Sequence, residues 1–315
     1  LLAAVPAGLA AGLEGVERTG LLGNLWAEAQ AGTAPMPRFL DALLRFKGDR
    51  GRPMTEKTAS ALIELQDGFL APEDAPRFAR LAEELLGSRW KDWGFGKLAG
   101  DEENIARASA LAAYGRASVD PAFAADLDRR ARAAAVDPGA LEPPVVGPLL
   151  GLAGRRGGRD LYELYRAQVA KAATPEQRDQ LLRALAAFRD PSLARATADY
   201  TMTEAVRPQD FWKPWVVLLR NSAVNKDAWA YLKANWSAVR AKAGPRAAAV
   251  IIEGLGGVHD LEIRAEAEAF FSDPANMEPT AKRALAQSLE FMGMGAHFES
   301  RERKAFSDWL RARDP

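Results

Sequence analysis

Apolar side chains recur at steps of three and four residues along almost the whole chain, and no other feature of the sequence constrains the fold as much. Leu181, Leu185 and Phe188 follow that spacing, as do Trp229, Leu232, Trp236 and Val239. Side chains so spaced share one face of an α-helix, so each run predicts an amphipathic helix with one buried stripe. The punctuation points the same way. Asp120-Pro121, Thr174-Pro175, Asp190-Pro191 and Asp273-Pro274 each set a capping side chain before a proline. Proline suits the first helical turn because its missing N–H would have no partner there. Alternating apolar and polar runs closed by Asn-Gly or Asp-Gly turns are missing, and the expected class is all-α.

Start and stop signals divide the chain into about sixteen helices, most of roughly fifteen to twenty residues, packing as antiparallel neighbours. Two helices with their turns fill roughly the 40–47 residues of a HEAT or armadillo unit, although no repeated signature marks such units here. The expected architecture is therefore a HEAT/armadillo-like α-solenoid, its stacked pairs forming a curved bowl with a concave inner wall. Gly48–Pro53, Trp93–Gly100 and Asp137–Gly158 are the candidate linkers. Val145, Val146, Leu149 and Leu150 resume the helical pattern inside the last of these, so residues 1–315 read as a single helical-repeat domain. Leu1–Leu13 has no basic stretch before it and contains Pro6 and two glycines. It reads as a linker from a preceding domain of a longer parent rather than a signal peptide. No apolar run approaches the ~20 residues that span a bilayer, so no membrane partner is expected.

Chemistry is constrained mainly by what is scarce. With no Cys and two His among 315 residues, there is no thiolate zinc site and no cysteine nucleophile. A zinc peptidase helix needs two His four residues apart with a Glu beside the first, and neither His259 nor His297 provides this. His259 is expected at a helix entry in a capping or solvated role, and His297 near a helix end beside the dipole. The GLGG run at 254–257 lacks the Lys-Ser/Thr of a phosphate loop and reads as a helix stop. Ser222 has no G-x-S-x-G context. The acidic pairs Glu83-Glu84 and Glu102-Glu103 read as helix surface. Forty-two Lys+Arg balance 42 Asp+Glu, and Arg155, Arg156 and Arg159 carry no interleaved aromatics, so nucleic acid is not an expected partner. Phe211, Trp212, Trp215, Trp229, Tyr231 and Trp236 read as core between neighbouring helices, with Trp229 set against the Phe211–Trp215 helix.

An ordered set of residues carries a resemblance. It includes RDQLLRALAAFRDPSL from Arg178 to Leu193, then Val206-Arg207 with Gln209-Asp210, then Arg220-Asn221 followed by Ala228, Trp229, Tyr231, Asn235 and Trp236. Phe270-Phe271, Leu289-Glu290 and Trp309-Leu310 follow in order, and upstream stand Glu17-Arg18, Leu21-Leu22, Trp26 and Gly32. This set resembles the C-terminal helical domain of the aminopeptidase N family of zinc metallopeptidases, the endoplasmic-reticulum-aminopeptidase-like C-terminal domain.

The resemblance implies a parent that removes N-terminal amino acids from peptides. Its zinc would lie in a catalytic domain outside this chain, and the bowl would cap that domain and limit peptide access to an internal chamber. The implied partners are that catalytic domain of the same polypeptide and the peptide substrate. On this reading the chain is not itself an enzyme and holds no cofactor, catalytic residue or metal ligand. Some relatives hold the peptide's carboxylate with basic residues, but Ala186-Ala187 stand where one would align, so no binding residue is carried over. The alternative is a free-standing α-helical-repeat scaffold that binds a protein partner along its concave wall.

Overall fold

The computed structural model describes residues 12–313. Most of the expected linker, residues 1–11, lies outside the described residues. Leu13 packs against a hydrophobic core. The described residues fold into helices joined by turns, with no strand among them, as the three- and four-residue spacing leads one to expect.

The chain sorts into two compact units, one reaching to Ala124 and resuming at Phe298, the other running from Ala125 to His297. In the first unit lie α1 (Gly15–Ala31), α2 (Met36–Arg45), α3 (Arg52–Gly68), α4 (Ala75–Ala82), α5 (Ser88–Trp93) and α6 (Asp101–Ala117). A wider turn at Glu83–Gly87 carries α4 into α5 without a break. The pair α3 and α6 packs face to face. Leu22, Phe39, Leu62, Leu65, Phe78 and Phe306 are buried in one core. Arg89 is buried as well, and it donates to the carbonyls of Leu85, Lys47 and Asp49. It thereby neutralises carbonyls of the turn that ends α2, an effect like that of any cation at a helix C-terminus.

The helix α7 (Pro121–Val136) leads into the second unit. There follow α8 (Pro143–Arg156), α9 (Arg159–Lys171), α10 (Pro175–Leu185), α11 (Pro191–Thr201), α12 (Trp212–Arg220), α13 (Asn225–Ala234), α14 (Trp236–Gly254) and α15 (Leu261–Ser272). The last helix, α16 (Lys282–Ala312), supplies its first half to this unit and its last half to the other. Within the second unit the even members α8, α10, α12 and α14 pack in succession, as do α11, α13 and α15. Consecutive helices α12 and α13 thus belong to different rows. Gly154 of α8 lets α10 come close: a Cβ there would sit 2.9 Å from the Ala184 carbonyl oxygen.

Three of the four expected proline starts are present and capped. The Asp120 carboxylate accepts from the Ala122 N–H, the Thr174 hydroxyl from Gln177 and the Asp190 carboxylate from Ser192 and Leu193. The fourth is not a helix start. Asp273 accepts from the Ala275 N–H and Asn276 donates to the Phe270 carbonyl, so these side chains close a turn after α15 instead of opening a helix. Many helices are also shorter than expected, with α10 and α11 at 11 residues and α12 at nine. The apolar run 226–240 is two helices rather than one. Asn235 folds its side chain back onto the Tyr231 carbonyl, which ends α13 before Trp236 opens α14.

Candidate functional site

In the second unit, a polar ladder links α10 to α12. Asp179 and Arg183, four residues apart on α10, pair at 3.2 Å. Lys213, at the start of α12, reaches across to Asp179 at 3.0 Å and back to Asp210 at 3.2 Å. Arg207 closes the far end, donating from Nε to Asp210 at 2.8 Å. The Arg183 guanidinium lies over the partly exposed Trp212 ring, 5.5 Å from its centre. Asp210 is buried. Burial alone would push its carboxyl up, but hydrogen bonds from Arg207 and Lys213 outweigh that and hold it below the usual carboxylate range. Three cations therefore face two carboxylates, and the partly exposed Arg183 beside an indole can receive an anionic group.

Asn221 explains the Arg-Asn pair in structural terms. Its buried amide donates to the carbonyls of Ala186, Ala187 and Phe188 at 3.3, 3.3 and 2.8 Å, satisfying the end of α10 from the end of α12. Ala186 is fully buried in the same core. A longer, basic side chain at Ala186 would have to displace that packing.

The expected aromatic core is present as one buried cluster. Trp215 faces Tyr231 at 5.6 Å, whereas Trp229 meets Phe270 and Phe271 of α15 at 5.9 and 6.1 Å. Trp229 thus packs against α15, within the same buried core as Phe211 and Trp215. Its indole N–H donates to Glu266 at 2.8 Å, a partner in α15 that fixes the side of α13 it faces. Trp236, although it belongs to α14 and not α13, meets the same Phe271 ring, at 5.3 Å.

His259 precedes α15 as expected, but the cap is Asp260, which accepts from Glu262 and Ile263. The imidazole lies against Gly295. His297 sits in the middle of α16, not near a helix end as expected. Glu83 accepts from Lys91 and from the Tyr114 hydroxyl. The Lys91 bond holds its carboxyl low against the upward push of burial. Glu84 is held low by Lys47. Neither carboxyl suits a general acid, which needs a raised value. Arg155 and Arg156 end α8 and Arg159 donates to Ser192. No group of three or more His, Asp or Glu among the described residues could hold a metal, so the donor set does not fit zinc. No described helix is long and apolar enough to cross a membrane.

Lys213, Asp179 and Arg183 were not distinguishable in the sequence as a site. Asp179 and Arg183 stand four apart, and Asp210 lies three from both Arg207 and Lys213, but nothing in that spacing shows that the two groups meet.

Comparison with known proteins adds a family. Residues 1–292 match the family described as ERAP1-like C-terminal domain. The chain is 26% identical over 160 residues to alanine/arginine aminopeptidase of Saccharomyces cerevisiae, covering 50% of this chain and 18% of that protein. It is 33% identical over 86 residues to aminopeptidase N of Lactococcus lactis subsp. cremoris, or 27% of this chain and 10% of that one. Against aminopeptidase 2, mitochondrial, of Saccharomyces cerevisiae it is 19% identical over 309 residues, 94% of this chain and 32% of that protein. The matches thus span a third or less of each relative. The ordered residues from Arg178 to Trp236 and the match over 1–292 agree, and the chain belongs to the family of ERAP1-like C-terminal domains.

Proposed function

We propose that this chain is the non-catalytic C-terminal domain of a zinc aminopeptidase, which caps the catalytic domain of the same polypeptide and limits which peptides reach its chamber. The family match over residues 1–292 carries the reading. In the parent, a stacked-helix wall would face the peptide, and the Arg183–Trp212 face with its excess positive charge is the candidate contact for a peptide's carboxylate. The isolated chain should release no arylamine from aminoacyl-arylamides and bind no stoichiometric zinc. Turnover with one equivalent of metal would overturn the proposal. A reading frame that encodes a His-Glu-x-x-His helix upstream supports it, and one without such a helix counts against it.

One observation favours the scaffold alternative. Phe291 and Met294, three residues apart on α16, are both more than half exposed, and a paired apolar surface can receive a protein partner. Two apolar side chains fall well short of the groove that a dedicated scaffold presents.

A further inference from the structure

The last sixteen described residues belong to the first unit although more than 170 residues separate them from the rest of it. Three consecutive side chains, Arg301, Glu302 and Arg303, each serve a different helix terminus. Arg301 donates to the carbonyls of Ala29 and, at 3.0 Å, Gln30, at the end of α1. Glu302 is buried and accepts from the Met36 N–H at 3.1 Å, at the start of α2. Arg303 donates to the Gly68 carbonyl at 2.9 Å, at the end of α3.

The start of α2 lacks a local side-chain substitute, whereas at the end of α1 the Gly32 N–H also donates to the Ala29 carbonyl, at 3.1 Å. The residue before α2 is Pro35, which offers no side-chain cap, and the first N–H groups and last carbonyls of any helix have no partner within it. Apolar groups reinforce the polar ones. Phe298 meets Trp26 at 5.3 Å and Phe69 at 5.0 Å, and Phe306 meets Phe78 at 6.2 Å. Ser307 and Arg311 both donate to the buried Asp74, which lies between α3 and α4. Leaving a buried polar group unpaired costs more than the net worth of the bond it made, so losing this segment would strand several such groups together.

We infer that residues 298–313 are a clasp that closes the first unit, so that α1, α2 and α3 hold their native packing only while Arg301, Glu302 and Arg303 are seated on their termini. The Arg-Glu-Arg triplet is the latch. Its three side chains alternate in charge as the termini do: cations on the carbonyl ends of α1 and α3, an anion on the N–H end of α2.

Hydrogen exchange on the full chain tests this directly. In the unaltered protein at neutral pH, amides of α1 to α3 and of residues 298–313 should exchange through one shared opening with the same denaturant dependence. An opening of 298–313 that leaves α1 to α3 protected would overturn the clasp. The pair R301A/R303A should speed exchange across α1 to α3 by about tenfold or more while leaving α10 to α15 unchanged, since a tenfold change corresponds to roughly 1.4 kcal/mol. Loss confined to the amides next to Ala29 and Gly68 would reduce the triplet to local caps and sink the proposal. Should the double variant fail to fold, E302A, which removes the acceptor, gives the same reading at the Met36 end: α1 to α3 lose protection together if the clasp is real, and Met36 alone if it is not.

Discussion

At the scale of single residues, Trp229 is held by partners from a distant element. Its helical spacing with Leu232 marked it as core, and it is 1% exposed, but its partners Phe270, Phe271 and Glu266 lie about forty residues away, where periodicity carries no information. Trp229→Ala should cost about 3–5 kcal/mol, the range for deleting a large core aromatic, and denaturant unfolding of the second unit would show it; an unchanged midpoint would mean the indole is not a packing element. Trp229→Phe should cost less, losing chiefly the bond to Glu266. Asp74 offers a test of charge. Burial raises its carboxyl, but hydrogen bonds from Ser307 and Arg311 and the charges of Arg311 and Arg77 outweigh this and lower it. An unfolded aspartate titrates near ~3.9, so the folded group binds its proton only at lower pH. Its contribution is complete above the unfolded value and drains away as pH falls through the folded one. Asp74→Asn should therefore lower stability at neutral pH and flatten its decline in acid. Melting curves taken from about pH 6 down to about pH 3 would test this, and parallel declines in the two proteins would show that the pairing adds nothing.

Elements were legible where a capping side chain and a proline coincide, and illegible where one signal serves two purposes. Asp190-Pro191 opens α11, while Asp273-Pro274, the same dipeptide, makes a turn because Asn276 is at hand to close α15. The break at Asn235 was hidden for a related reason: apolar spacing continues across it, and only the folded-back amide ends the helix. The Gly244-Pro245 pair bends α14 at a point that apolar spacing does not mark, because a residue before proline avoids helical angles. Gly244 indeed has φ 72° and ψ 169°, a region open in practice to glycine alone. Nothing lies within 4 Å of where its Cβ would be, so crowding and backbone strain can be told apart there. Gly244→Ala should cost about 1–3 kcal/mol from backbone strain alone. A variant with an unshifted thermal midpoint would show that the bend relaxes freely.

For the whole molecule, fold class was legible because one period dominates the chain, whereas the membership of distant segments in one unit was not. The bond from Met36 to Glu302 spans 266 residues, and no local pattern announces it. The two units have separate hydrophobic cores, one around Phe39, Leu65 and Phe306, the other around Trp215, Trp229 and Ile251. Separate cores behave as separate cooperative blocks, and changes in residues that share no partners add independently. Scanning calorimetry should accordingly resolve two transitions. Phe39→Ala should lower one of them and Trp229→Ala the other, each by about 10–15 °C for a loss of about 3–5 kcal/mol in a block of this size. The continuous helix α16 is the element that complicates this independence, because its halves belong to different blocks. If both substitutions lower a single common transition, α16 transmits unfolding from one core to the other and the chain melts as one cooperative body.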